Sequence, residues 1–358
     1  MDAKLIHKLN ERIEEGTIRS LSRFEDSIDF CSNDYLGLAR FSPVGERTIL
    51  GSTGSRLISG NSREAIECEM FISQHFKTEA ALVFNSGYDA NLGFFGAIPQ
   101  KGDTVIYDQL IHASVRDGIR LSHARSLSFE HNSLEDLEKK LRLGEGTRYV
   151  AIESLYSMDG DLSPISVIAA LCKKYGAYLI VDEAHAAGVL GKGLVDELGL
   201  SDLVFARLIT FGKAYGTHGA VIVGPKILKD FLINFARSFI YTTALPPSTY
   251  QLMQQRCMQD LIEVQDQLQE RISRFRSQMV HDMLVSDARS PIQIVQVGTV
   301  GRTKEMADRL QRLGFAVKPI FSPTVPKGKE RIRICLHAFN TQDEIIRLCQ
   351  EILKSFNV

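Results

Sequence analysis

The chain of 358 residues lacks an excess of charge of either sign: 42 Lys and Arg stand against 43 Asp and Glu. No global field therefore favours nucleic acid or an anionic membrane, although a local basic site for an anionic substrate stays open. Cysteine is sparse. Cys31, Cys68, Cys172, Cys257, Cys335 and Cys349 are scattered without a C-x-x-C spacing, which speaks against a zinc site or redox pair and for reduced, mostly buried thiols. Long apolar runs are missing too, with no stretch of about eighteen apolar residues to span a bilayer. The first residues, Met1 to Lys8, are charged and lack a signal peptide's apolar core, so a cytoplasmic location is the default expectation. There is no internal repeat and no low-complexity tract. Nor is there a G-x-x-x-x-G-K-[ST] phosphate loop, and its absence removes the helicase reading that Asp182-Glu183-Ala184-His185 would otherwise invite.

What remains is ordinary globular material, 44% hydrophobic and 24% charged, long enough for one large and one small domain. Residues 4–15 read as an amphipathic helix with Leu5, Ile6, Leu9 and Ile13 on one face. A Gly/Ser loop, 51–60, precedes a helix over about 63–75 expected to carry Ile66, Met70 and Phe71 inward. Alternation follows. Strand-like runs at 80–84, 104–107, 125–129, 149–153, 177–181 and 208–211 are separated by helical stretches near 89–98, 112–121, 133–142 and 164–175, with 220–223 as a further strand. This βα order predicts an α/β fold with a mostly parallel sheet and helices on both faces. Tyr241-Thr-Thr-Ala-Leu-Pro-Pro247 breaks the pattern. A long polar helix, about 248–281, is expected after it, and 291–358 read as strand, helix, strand, helix. The expected division is an N-terminal segment 1–40, a large domain 41–240, and a small C-terminal domain 241–358 that includes the linking helix.

Two side chains close successive strand-like runs: Asp182 after Tyr178–Val181, and Lys213 in the small-residue turn after Leu208–Phe211. An amine that attacks a carbonyl needs a fixed position and a depressed proton affinity, and a pyridine cofactor needs an acid at its ring nitrogen. The order strand, Asp, strand, Lys suits a lysine-bound pyridoxal phosphate (PLP). Each residue alone has a plainer reading: Lys213 as a surface lysine, Asp182 as a helix cap. Gly87 and Tyr88 lie in a strand-to-helix turn whose free N–H groups suit a phosphate, or which is punctuation only. His112 stands where an imidazole stacks on a flat ring, or where a helix merely begins in solvent. His185 is a site donor if Asp182 is a ligand. Arg331 and Arg333 alternate onto one strand face, either solvated or offering a guanidinium fork to a carboxylate.

In order along the chain stand CSNDYLG (31–37), GSTGSRLISG (51–60), NSGYDAN (85–91), SLYSMDGD (154–161), VDEAH (181–185), TFGKAYG (210–216), YTTALPP (241–247) and SPTVPKGKERIRI (322–334). On these motifs nearly the whole chain resembles the α-oxoamine synthases, PLP enzymes of the aspartate-aminotransferase fold (fold type I). The resemblance implies that Lys213 forms the Schiff base and shuttles a proton, that Asp182 faces the pyridinium nitrogen and that His112 stacks on the ring. It places Ser157 and His185 near the phenolic oxygen, and Gly87, Tyr88 and Thr210 at the phosphate. It gives Arg333 the amino-acid carboxylate and sets Arg19 and Thr324 at the substrate entrance. Catalytic roles are thus expected for Lys213, His112, Asp182 and His185, with no metal. The family also implies a homodimer in which Thr242 or Thr243 reaches the neighbour's phosphate. Two features depart from the pattern: Ala186 stands where the family usually has glycine, and the stretch 187–198 is short. The implied reaction is decarboxylative condensation of an amino acid, L-alanine in the leading reading, with pimeloyl-CoA or a pimeloyl-carrier protein, a step of biotin synthesis. Glycine with acetyl-CoA, or another amino acid and acyl thioester, is the alternative within the family. An aminotransferase or a PLP-binding regulatory domain fits the motif set less well.

Overall fold

The computed structural model describes residues 10, 13–16, 27–30, 34–38, 51–280 and 283–356. The chain divides into two compact units. The larger holds 36–156 and 162–265; the smaller holds the chain up to Tyr35, the segment 157–161 and everything from Asp266 on. The helix expected over 4–15 falls mostly outside the described residues.

In the larger unit the sequence alternation becomes a seven-stranded sheet. Its strands are β1 (Ala80–Phe84), β2 (Thr104–Asp108), β3 (Arg125–Phe129), β4 (Arg148–Glu153), β5 (Tyr178–Asp182), β6 (Ala206–Thr210) and β7 (Ala220–Gly224). They lie in the order β1-β7-β6-β5-β4-β2-β3. Only β7 runs against its neighbours; the other pairings are parallel. Successive side chains leave a strand on opposite faces, and two cores result. Leu82, Phe84, Leu208, Ala220 and Ile222 pack on one face with Phe94, Phe95, Val115 and Ile119 of the helices Gly87–Ala97 and Ala113–Leu121. Ala81, Val83, Ile209, Val221 and Val223 pack on the other with residues of the helices Arg63–His75 and Pro247–Met258. Each large side chain so buried contributes roughly 1.5–3 kcal/mol.

One glycine sets a helix spacing that the site depends on. A Cβ at Gly118 would come within 2.8 Å of Phe95 Cβ and 2.9 Å of the Asn91 carbonyl. Only glycine lets these two helices touch this closely, and their contact brings Asn91 beside Ser114.

Three details differ from the sequence reading. The helix Arg63–His75 buries Ala65, Cys68 and Ile72, while Ile66 and Met70 stay 46% and 58% exposed. The inward face carries Glu69 instead, buried and paired with Arg56 and Lys229. The single helix expected over 248–281 is two, Pro247–Met258 and Ile262–Gln278. Gln259 is extended, and Asp260 Oδ1 accepts the N–H of Ile262 at 3.0 Å, which starts the second helix afresh. By compactness, residues 241–265 group with the larger unit, because Tyr250, Met253 and Cys257 share a core with Cys68, Ile72 and Phe76.

The smaller unit has a three-stranded antiparallel sheet, with Arg331–Cys335 between Lys318–Ile320 and Ile292–Gln296. The helices Val300–Arg312 and Gln342–Lys354 follow the expected order, the second opened by a capping box of Thr341 and Glu344.

Candidate active site

Three parallel neighbours, β4, β5 and β6, end in Glu153, Asp182 and Thr210, and a cavity of about 180 Å³ opens at those ends. Ligands in open α/β sheets bind beyond the carboxyl ends of the strands. Alternation decides which side chains reach it. Leu208 and Thr210 leave β6 on the cavity face, whereas Arg207 points to the opposite core. Gly87, Tyr88, His112, Asp182, His185, Thr210 and Lys213, all singled out in the sequence, line this one cavity.

Asp182 is buried at the cavity floor. Its Oδ2 accepts from Asn91 Nδ2 at 2.8 Å and its Oδ1 from the N–H of Ala184 at 3.0 Å. The other Asn91 amide proton goes to Ser114 Oγ at 3.0 Å, and Ser114 Oγ lies 2.8 Å from His112 Nδ1. His112 is the cap of the helix Ala113–Leu121: its Nδ1 accepts the N–H of Ser114 at 3.2 Å. An accepting Nδ1 carries no proton, so the ring is the neutral tautomer with its proton on Nε2. Burial acts in the same direction, lowering the proton affinity of His112 against the pull of Asp182, and Lys213 lowers it further. His112 therefore begins its helix with its ring lining the cavity.

Lys213 sits just past β6, half-buried, with Nζ 2.7 Å from His185 Nε2. Thr210 Oγ1 donates to the Gly219 carbonyl at 3.3 Å and lies 3.4 Å from the N–H of Gly212, tying down the turn that carries Lys213. Tyr88 directs its hydroxyl to Asp117 Oδ2 at 2.5 Å. A Cβ on Gly87 would meet nothing nearer than Leu208 at 3.7 Å. Protein packing therefore does not require glycine there, while close approach of a ligand to the helix start does.

Behind the sheet a second arrangement holds the turn after β5. Glu183, fully buried, accepts from Arg207 Nε at 2.6 Å and from the N–H of Val195 at 2.9 Å. A Cβ on Gly193 would fall 2.6 Å from Glu183 Oε2, and the residue's φ of +115° is one that side chains disfavour. Burial raises the proton affinity of Glu183, and Arg207 opposes that rise.

Other expected residues belong to the smaller unit. Arg333 Nε donates to the Ser157 carbonyl at 2.7 Å, and Nη2 lies 3.4 Å from Tyr35 Oη. Arg331 is paired with Asp159 at 2.5 Å, so its side of the strand is not a solvated one. Thr324 is exposed. Thr242 Oγ1 and the Thr243 carbonyl accept from Asn85 Nδ2, at 3.0 and 2.9 Å, within the larger unit. Arg19 lies outside the described residues. The sequence reading gave no role to Asn91, Ser114 or Glu153, although signals existed: Asn91 is one helical turn beyond Gly87, and Glu153 ends its strand as Asp182 does.

The donor set fits PLP: a carboxylate for a ring nitrogen, an amine for an aldehyde, a neutral imidazole for a flat ring and a helix start for a phosphate. Glu153 also lines the cavity, and one of its carboxyl oxygens, Oε1, is buried without a hydrogen-bond partner. No group of three or more metal-binding side chains occurs among the described residues.

Fold and site together define a PLP-dependent enzyme, and the chain belongs to the aminotransferase class I and II family, whose model matches residues 25–352. Within that family it is an α-oxoamine synthase. The 8-amino-7-oxononanoate synthase of Emericella nidulans is 40% identical over 91% of this chain and 88% of its own length. The solved 8-amino-7-oxononanoate synthase of Francisella tularensis is 27% identical, with a TM-score of 0.78 over 93% of this chain and 98% of that one. A serine palmitoyltransferase from S. paucimobilis, solved with PLP and myriocin bound, is 27% identical with a TM-score of 0.89 over 99% and 97%.

Proposed function

We propose that the protein condenses L-alanine with a pimeloyl thioester, on CoA or a carrier protein, releasing CO₂ and the free thiol and giving 8-amino-7-oxononanoate, a step of biotin synthesis. The observation that carries the chemistry is the meeting of Lys213, Asp182, His112 and His185 in one cavity at the strand ends. The relatives' names carry the substrate choice.

Bound PLP supplies an electron sink for a carbanion beside the substrate's nitrogen. The chain's residues do the rest. Lys213 would hold the cofactor's aldehyde, and its amine would move the Cα proton of the amino acid. Asp182 keeps a proton on the ring nitrogen by charge, and Asn91 and Ala184 fix its oxygens for that task. The neutral ring of His112 covers one face without placing a positive charge against the cation. His185 steadies Lys213 Nζ. The helix start at Gly87, with Thr210, takes the phosphate. Arg333, Thr324, Arg19 and Ser157 are assigned to substrate and cofactor on the strength of the resemblance.

We assign a homodimer as the working form. The loops 51–60 and 241–245 are joined by hydrogen bonds from Ala244 N–H to the Gly54 carbonyl and from Ser52 Oγ to the Ala244 carbonyl. Around them Ile58 and Tyr241 are 87% and 72% exposed, an apolar surface of the kind that marks a protein interface. A cytoplasmic setting is supported by the five described cysteines, all buried and none in a disulfide. No described helix is long and apolar enough to cross a membrane.

The test is a matrix of amino acids and acyl-CoAs incubated with the PLP-loaded protein, following CoA release. Alanine with pimeloyl-CoA is expected to dominate and Lys213→Ala to abolish the reaction. Preference for glycine with acetyl-CoA overturns the substrate assignment.

A further inference from the structure

We infer that Ser114 is a positioning residue: it carries the direction of hydrogen bonding from Asp182 through Asn91 to Nδ1 of His112, and so sets which ring nitrogen of His112 holds the proton. The inference deepens the reading above, in which the His112 ring covers one face of the cofactor and Asp182 meets its ring nitrogen.

Asp182, Asn91 and Ser114 are all buried, Ser114 to 1% exposure, so water competes little for the hydrogen bonds that join them. Direction starts at Asp182. Both of its oxygens accept a donor, from Asn91 and from Ala184, as those of an ionised carboxylate do. An acceptor-only partner forces the Asn91 amide to turn its nitrogen toward Asp182 Oδ2. The second proton of that nitrogen then goes to Ser114 Oγ at 3.0 Å. Ser114 has one proton left to give, and the acceptor it meets among the described residues is His112 Nδ1 at 2.8 Å. The main-chain N–H of Ser114 points at the same ring nitrogen from 3.2 Å. A proton on Nδ1 would confront that N–H and strand the buried hydroxyl proton, which is the costly arrangement. Every donor is matched only when Nδ1 accepts and Nε2 carries the proton. Asn91 and Ser114 belong to the helices Gly87–Ala97 and Ala113–Leu121, and the close contact that Gly118 allows holds the string together. Other groups act on the ring by charge: burial lowers its proton affinity, Asp182 raises it, Lys213 lowers it and Asp117 raises it, while Glu153 lines the same cavity. Among the described residues none of these hydrogen-bonds a ring nitrogen of His112; Ser114 does.

The test is nitrogen NMR of the PLP-free protein labelled in its nine histidines, followed across pH. The His112 signals are those missing from His112→Gln. In the native protein the neutral ring is expected to show an unprotonated Nδ1 and a protonated Nε2. Ser114→Ala removes a hydrogen bond that only this tautomer accepts. The ratio of the two neutral tautomers should fall roughly three- to tenfold, the worth of one hydrogen bond, and the ring should take its second proton at higher pH than in the native protein. Ser114→Thr keeps the hydroxyl and should keep the native pattern. Asp182→Asn can turn its own amide either way, so it should loosen the His112 tautomer without touching the ring. A native His112 with its proton on Nδ1, a Ser114→Ala protein with native tautomer and titration, a threonine variant that behaves as alanine, or an Asp182→Asn protein with the native tautomer overturns the inference. The native measurement needs no change at Ser114, so misfolding of a Ser114 variant would not blunt it. PLP titration of Lys213→Ala and Asp182→Asn tests the cofactor reading separately. If both bind PLP with native affinity and spectrum, that reading falls whatever the tautomer. If they are impaired while His112 ignores Ser114→Ala, only the present inference falls.

Discussion

Replacing Arg207 with leucine leaves Glu183 buried beside a side chain that can neither neutralise nor hydrogen-bond it. Glu183 is 0% and Arg207 2% exposed. The guanidinium donates to Glu183 at 2.6 Å and to the Lys192 carbonyl at 3.0 Å, and its face lies over Phe76 with 5.2 Å to the ring centre. Removing one partner of such a pair costs about 3–5 kcal/mol, because the desolvation of the survivor is no longer offset. Protonation limits the loss. Burial already raises the proton affinity of Glu183 with Arg207 pulling it down, and without Arg207 it rises further. The folded variant then holds a proton that the unfolded chain has released above the ordinary carboxylate range. Its stability therefore falls as pH rises through that window, by up to about 1.4 kcal/mol per pH unit. Urea unfolding of the PLP-free native protein, Arg207→Leu, Glu183→Leu and the double variant, at mildly acidic and mildly alkaline pH, measures both effects. The double variant is expected to recover most of the loss, since no charge is left buried alone. A single-variant loss below about 1 kcal/mol, the level of a surface pair, or a double variant no better than Arg207→Leu, would refute the reasoning. Because Glu183 lies between Asp182 and His185, a PLP titration of the same variants reads how far the turn shifts.

Asn91→Ala removes the amide that joins Asp182 to Ser114 and leaves a buried carboxylate oxygen short of a donor. A loss of about 1–3 kcal/mol in the PLP-free protein is expected, read by urea unfolding, together with a changed absorbance of the bound cofactor. His75 packs against Phe71 and Phe76, and burial, then Lys192, lowers its pKa from 6.5 to about 4. The unfolded chain binds a proton in that interval and the folded chain does not, so stability should be lost as pH falls from 6.5 to 4, by an amount that solvent access to the half-buried ring keeps small. His75→Gln should flatten the acid limb of a stability–pH curve, and an unchanged limb would count against the assignment.

Periodicity carried the sheet well because strand residues buried on both faces read as short apolar runs between helices. The run at 80–84, buried throughout, matches β1 residue for residue. It failed where local chemistry overrides pattern: Asp260 restarts a helix inside a continuous polar stretch, and Glu69 occupies an inward position that hydrophobicity assigned to Ile66 and Met70. The principal cavity residues were legible because they sit at strand ends and turn starts, places that sequence marks. Asn91, Ser114 and Glu153 were given no role, since position in the chain marks two of them only weakly. Their roles come from a helix crossing set by Gly118 and from the register of β4 against β5, and neither is a property of neighbouring residues in the chain.

The sequence by itself determined the order of strands and helices and, through its ordered motifs, the family and the amine, acid and imidazole of the site. Each of these depends on residue type at a local position. Only the tertiary structure decided that Arg207 lies behind the sheet while Leu208 lies at the cavity, that His112 is the neutral Nε2 tautomer, and that Glu153 stands beside Asp182. Those facts depend on strand alternation, register and hydrogen-bond partners far apart in the chain.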